Sequence, residues 1–128
     1  VRKVFLNKFS ISENFLLHIH SVSDHYSKEL NEHYFQKDYP TDVLTIPLYK
    51  DLASINKLDK NNNEILGDLF LNRNLIKKHS KKYTKTLIEE YQLVLVHGLL
   101  HLIGYSHDDP KKLSSIENTI LKKVWNEK

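Results

Sequence analysis

His97 and His101 are four residues apart, so on an α-helix they lie about 40° apart around the axis and roughly 6 Å apart along it. Two imidazoles so placed can share one metal ion. Gly104 follows three residues later, where a glycine in the left-handed conformation would end the helix and turn the chain so that His107 returns over the pair. Three nitrogen ligands with a fourth position open to water is the pattern of a catalytic zinc site, whereas structural sites usually close that position with another Cys or His. The chain has no Cys. The residues therefore favour one Zn2+ per chain, held by His97, His101 and His107.

Zinc peptidases of the His-Glu-x-x-His kind use the residue after the first histidine as general base, because the helix aims that carboxylate at the activated water. Here that residue is Gly98. The chain also lacks any Met for the turn that follows in the longer histidine motif of those enzymes. Peptide hydrolysis is disfavoured.

The stretch His97-Gly98-Leu99-Leu100-His101-Leu102-Ile103-Gly104-Tyr105-Ser106-His107 resembles the signature of the bacterial YbeY family of metal-dependent endoribonucleases. Three further stretches are similar to that family in the same order. They are Leu30-Asn31-Glu32-His33-Tyr34 with Lys37-Asp38-Tyr39-Pro40-Thr41-Asp42-Val43-Leu44-Thr45, then Leu66-Gly67-Asp68-Leu69, then Glu90 ahead of the histidines. The resemblance implies an α+β fold in which a small mixed β-sheet packs against helices, with the metal helix lining a cleft and residues 1–128 forming one domain. It implies cleavage of single-stranded RNA in ribosomal RNA maturation and ribosome quality control, with ribosomal RNA and small-subunit proteins as partners and no role for DNA.

Two departures bear on activity. Phe35 stands where the family has an arginine, and phenylalanine can neither carry charge nor grip a phosphate oxygen. Lys37 is the neighbouring cation that could substitute. Ser106 replaces the aspartate before the third histidine, and Asp108 could compensate. No side chain announces itself as general base; Asp108 and Asp109 are candidates by proximity alone. Two rival classes stay open: a ribosome-associated binding factor with a structural metal, and a metal-dependent hydrolase of another substrate.

The elements that must position these residues follow from composition and spacing. With 128 residues, 40% hydrophobic and 27% charged, the chain can bury the core of one globular domain. The absence of Cys fits a reducing compartment, and the longest apolar run, Leu93 to Ile103, is too short to span a bilayer. With no secretory signal read, a cytoplasmic protein without membrane contact is expected. All but two of the 19 basic residues are lysine, so phosphates would be met as point charges more than by bidentate grip.

Val1, Val4, Phe5 and Phe9 approach helical spacing, and Phe15 to Val22 suits a strand. Asp24 to Tyr34 reads as a helix, Lys37 to Pro40 as a turn, and Asp42 to Leu48 as a strand whose Pro47 marks an end or edge. His18, His20, His25 and His33 read as surface residues rather than ligands. Asp59 to Glu64 is a polar loop, and Ile65 to Leu71 returns as a strand antiparallel to the one before it. Asn72 to Tyr83 reads as a polar helix whose Lys77, Lys78, Lys81 and Lys82 form either an RNA-facing patch or an ordinary solvated face. Thr86-x-x-Glu89 is a capping box opening the motif helix, and Glu90 is either a partner of the metal ligands or a first-turn carboxylate favoured by the helix dipole. After Pro110, Leu113, Ile116, Ile120, Leu121 and Val124 mark an amphipathic final helix whose Trp125 serves packing.

Overall fold

Alternation and helical spacing resolve into three strands and six helices among residues 1–126, which a computed structural model of the protein describes. In chain order these are α1 (Arg2–Lys8), β1 (Leu16–Val22), α2 (Asp24–Phe35), β2 (Val43–Pro47), α3 (Leu52–Asn56), β3 (Ile65–Asn72), α4 (Arg73–Lys82), α5 (Leu87–Leu102) and α6 (Pro110–Asn126). The strands form one mixed sheet in the order β1-β3-β2. β1 runs parallel to β3, from Leu16 opposite Ile65 to Val22 opposite Asn72. β2 runs antiparallel to β3, from Val43 opposite Leu71 to Pro47 opposite Gly67. Pro47, which lacks a backbone donor, ends an edge strand where a missing N–H costs little. The fold is the α+β arrangement of a small mixed sheet against helices.

Beyond its exposed first residues, Leu87 and Ile88, helix α5 is largely apolar and largely covered. Val94, Val96, Leu99, Leu100 and Leu102 are buried along it. It packs on β2 and β3 and also against α4 and α6. The main core joins its leucines to Phe5 and Leu6 of α1, Leu66 and Leu69 of β3, and Leu113, Ile120 and Leu121 of α6. Burial of a single leucine or phenylalanine side chain contributes about 1.5–3 kcal/mol. Thr86 opens α5: its hydroxyl accepts the Glu89 N–H at 3.1 Å, while the Glu89 carboxylate accepts the Thr86 N–H at 3.0 Å. The other end closes at Gly104, with φ +103, where Gly104 N–H donates to the His101 carbonyl at 3.1 Å and Tyr105 N–H to that of Leu100 at 3.0 Å. This pair of bonds is a Schellman cap, and it needs the positive φ that glycine takes without strain.

Two features differ from the sequence reading. Residues 37–40 form no hydrogen-bonded turn but an irregular segment tied to α2 by that helix's buried polar residues. Asn31 Nδ2 donates to the Tyr39 carbonyl at 2.8 Å, and the Ser27 hydroxyl donates to the Thr41 carbonyl at 2.9 Å. The connection before the polar loop contains α3, which is capped by Asp51 accepting the Ser54 N–H at 2.9 Å. The sheet itself is mixed as expected, with β3 antiparallel to β2 and parallel to β1. Trp125, expected to serve packing, is exposed, and its ring N–H donates to Gln92 at 2.8 Å. Among the described residues no helix is long and apolar enough to cross a membrane.

Gly98 sits where α5 presses on the sheet. A Cβ there would stand 2.8 Å from Leu69 Cδ2 and 2.9 Å from Val43 Cγ2. Gly98→Ala therefore lowers stability by about 1–3 kcal/mol through overpacking, although alanine is the better helix former by about 1 kcal/mol. Urea denaturation checks this: the midpoint falls, and a rise would show that the strands yield. The same crowding leaves no room after His97 for a peptidase carboxylate.

Candidate metal centre

His97 and His101 come from successive turns of α5, and the reversal at Gly104 brings His107 back to them. One ring nitrogen from each of the three lies within 4.8 Å of the others. His97 Nε2 and His101 Nε2 are 2.9 Å apart. The opposite nitrogens of these two rings are held from behind. His101 Nδ1–H donates to the Tyr105 carbonyl at 2.7 Å, and His97 Nδ1–H donates to the Glu117 carboxylate on α6.

These partners settle whether the residues fit a metal. A carbonyl can only accept, and an ionised carboxylate likewise, so both Nδ1 atoms carry a proton, and a neutral ring so anchored presents the Nε2 lone pair. The two Nε2 atoms, 2.9 Å apart, are close enough to share one cation. Burial, followed by the adjacent His97, holds His101 below the ordinary imidazole range, with the Tyr105 carbonyl opposing. His101 is thereby kept neutral, the form that ligates. The three histidines are placed to hold a metal ion.

The histidines line a cavity of about 460 Å³ together with Phe35, Lys37, Asn31, Tyr39 and residues 41–45. Helix α2 delivers Phe35 at its last turn. Gln36 then takes a left-handed conformation, φ 56, and the pinned segment behind it carries Lys37 to the same cavity. Phe35 and Lys37 thus share the cavity of the three histidines.

Asp108 is not placed there. It lines a separate cavity of about 220 Å³ with Gly104, Tyr105, Asp109 and Lys112. Asp109 accepts the Lys112 N–H at 3.1 Å at the start of α6. The reversal that turns His107 inward leads the next residues outward. The carboxylate that does line the metal cavity is Asp42, 3.6 Å from His79 Nδ1 on α4. Glu90 is buried, with Oε2 hydrogen-bonded to nothing among the described residues and 3.8 Å from Lys85 Nζ. It lines a small cavity shared with His97, Glu117 and Asp42, while Glu89 alone serves the cap. Lys77, Lys78, Lys81 and Lys82 are exposed on α4 and do not line the metal cavity, which that helix approaches through the His79–Asp42 contact. His18, His20, His25 and His33 are exposed.

Glu117 escaped the sequence reading. Its signal was present: it interrupts the stripe formed by Leu113, Ile116, Ile120, Leu121 and Val124, and a charge on a buried stripe calls for a partner.

Comparisons with known proteins bear on the family and the fold. The sequence model of the family described as Endoribonuclease YbeY matches residues 1–124. The protein named Endoribonuclease YbeY from Phytoplasma mali is 37% identical over 127 residues, which cover 97% of this chain and 76% of that one. Its namesake from Buchnera aphidicola subsp. Acyrthosiphon pisum is 35% identical over 124 residues, covering 94% and 74%. A Thermotoga maritima protein solved in solution shares the fold, with a TM-score of 0.63 at 23% identity over 98% of this chain and 79% of that one. With a family match running from the first helix to the last, this chain belongs to the YbeY family.

Proposed function

We propose that this chain is a zinc-dependent endoribonuclease that cuts single-stranded RNA during ribosomal RNA maturation and ribosome quality control in the cytoplasm, with residues 1–128 forming one domain and ribosomal small-subunit proteins among its partners. The observation that supports it most is the set of three imidazoles, two with Nδ1 anchored from behind, in a cavity open enough for a phosphodiester. Three nitrogen donors without a thiolate favour zinc over softer or harder ions. A bound zinc ion would supply Lewis acidity, activating water and polarising a phosphoryl oxygen.

The rest is the work of this chain's own groups. His97, His101 and His107 would hold the ion, with Glu117 and the Tyr105 carbonyl orienting two of the rings. Lys37 would meet the phosphate as a point charge. Asp42 would hold or move a proton at the cavity wall, a role its position supports better than that of Asp108. Phe35 presents an apolar ring where the reaction would gain from a cation, and it favours a second reading, a ribosome-associated binding factor with a structural metal. Chelation separates the two: loss of RNA cleavage with folding retained supports the enzyme, and unfolding alone supports the structural metal.

The four lysines of α4 would extend the RNA path beyond the cavity. Changing Lys77, Lys78, Lys81 and Lys82 to glutamine weakens single-stranded RNA binding and flattens its salt dependence by up to about one counterion for each lysine replaced. Titration across ionic strengths reads this, and an unchanged slope returns the patch to a solvated face.

A further inference from the structure

The fold has a second concavity, of about 600 Å³, on the other side of α2. Helix α2 is the ridge between the two. Asn31 and Phe35 line the metal cavity, while Tyr26 and Tyr34 line the second cleft. Strand β2 borders both as well: Val43, Leu44 and Thr45 line the metal cavity, and Ile46, the next residue along, lines the cleft. The two spaces are therefore neighbours around one helix and one edge strand.

The second cleft is furnished with aromatic rings. His20 stacks on Phe70, with centroids 4.5 Å apart and planes 13° apart, and Tyr26 meets Phe70 edge-on at 6.4 Å. Arg73, one of two arginines in the chain, also lines it. Tyr26 and Tyr34 are 46% and 47% exposed, so they are not serving as core. Asp68, the acidic group of the cleft, is engaged by His20 Nε2 at 2.9 Å, which orients the His20 ring and occupies the carboxylate.

We infer that this cleft stacks nucleobases of the single-stranded RNA flanking the phosphate held in the metal cavity. The inference rests on the nuclease reading of that cavity. Unpaired bases are gripped by aromatic faces and guanidinium planes, and such stacking tolerates any base because every base has a π-face. An RNA strand leaving the histidines meets these rings by passing α2 or β2. That continuity, with exposed tyrosines rather than an aliphatic floor, favours RNA over a protein segment.

The test uses the whole chain and a cleavage-resistant 2′-O-methyl oligoribonucleotide carrying 2-aminopurine. In the parent, binding quenches the 2-aminopurine fluorescence as the base stacks. The double variant Tyr26→Ala/Tyr34→Ala, with folding checked by thermal melting, binds at least about tenfold more weakly and with reduced quenching. Its salt slope is unchanged, because every cation that meets a phosphate is still in place. Equal affinity and quenching in parent and variant overturn the inference and leave the cleft to another partner. Cleavage of unmodified RNA, measured alongside, separates the two readings. A parent that binds and quenches but cuts nothing keeps the cleft and loses the nuclease; one that cuts, with a variant that binds and quenches as it does, loses the cleft alone.

Discussion

Replacing His101 by alanine releases the metal ion and lowers RNA cleavage by more than about 10³-fold, since every catalytic contribution assigned to the ion goes with it. His101 is central to the trio, its ring 4.5 Å from that of His97 and 4.4 Å from that of His107. Elemental analysis of freshly purified protein gives about one zinc per chain for the parent and almost none for the variant. Full metal content in the variant would sink the three-histidine assignment. Acid acts on the same group. The folded pKa of His101 lies below its ordinary value because of burial first and His97 second. The folded chain therefore binds fewer protons there than the unfolded chain, and this contribution to stability is complete above the ordinary imidazole pKa and is lost as pH falls below it. An apo-protein melting series from pH 8 to about 5 shows the decline, which His101→Ala flattens.

The second large effect lies at the cavity wall. Phe35→Arg raises RNA cleavage and Lys37→Ala lowers it, neither altering metal content. A cation that stabilises charge developing on a phosphoryl oxygen is commonly worth about 10²–10³ in rate. Both residues line the cavity of the histidines. Phe35 is 44% exposed, so an arginine there displaces little packing. Single-turnover cleavage of a short single-stranded RNA, with zinc content and melting temperature measured on the same samples, decides the matter. Two variants that cut at the parent rate would show that the segment does not touch the scissile phosphate. A parent without any metal-dependent cleavage would give the place to the binding-factor reading.

The parts of this site that were legible in the sequence are those whose geometry is local. Helical spacing alone sets His97 beside His101, and a glycine at the right distance implies the reversal that brings in His107. The capping box at Thr86 and Glu89 is equally local, and both of its bonds form. What the sequence hid depends on contacts between distant elements. Glu117 reaches His97 only because α6 packs on α5. Asp42 joins the cavity because β2 lies against α5, a contact that includes the Thr45 hydroxyl donating to the Gly98 carbonyl at 3.1 Å. Asp108 looked close because it follows His107, but nearness along a chain that has just reversed is no guide to direction. Helix α3 is five residues long, with only Leu52 and Ile55 to show an apolar face.

The pairing of β1 with β3 has a kinetic meaning for the metal. Joining Leu16 to Ile65 in a parallel ladder closes a long loop, a step that is slow because the chain gives up its entropy before the ladder forms. The three ligands, by contrast, sit within the single stretch from His97 to His107. A helix and its cap set their spacing, and local structure of that kind forms on a far faster timescale. The ligand cluster is thus local in sequence, whereas the cavity around it, walled by α2 and β2, exists only once the sheet has closed. Metal content therefore reports on the stretch from His97 to His107 and on Glu117 behind it, and binding or cleavage of RNA reports on the finished protein.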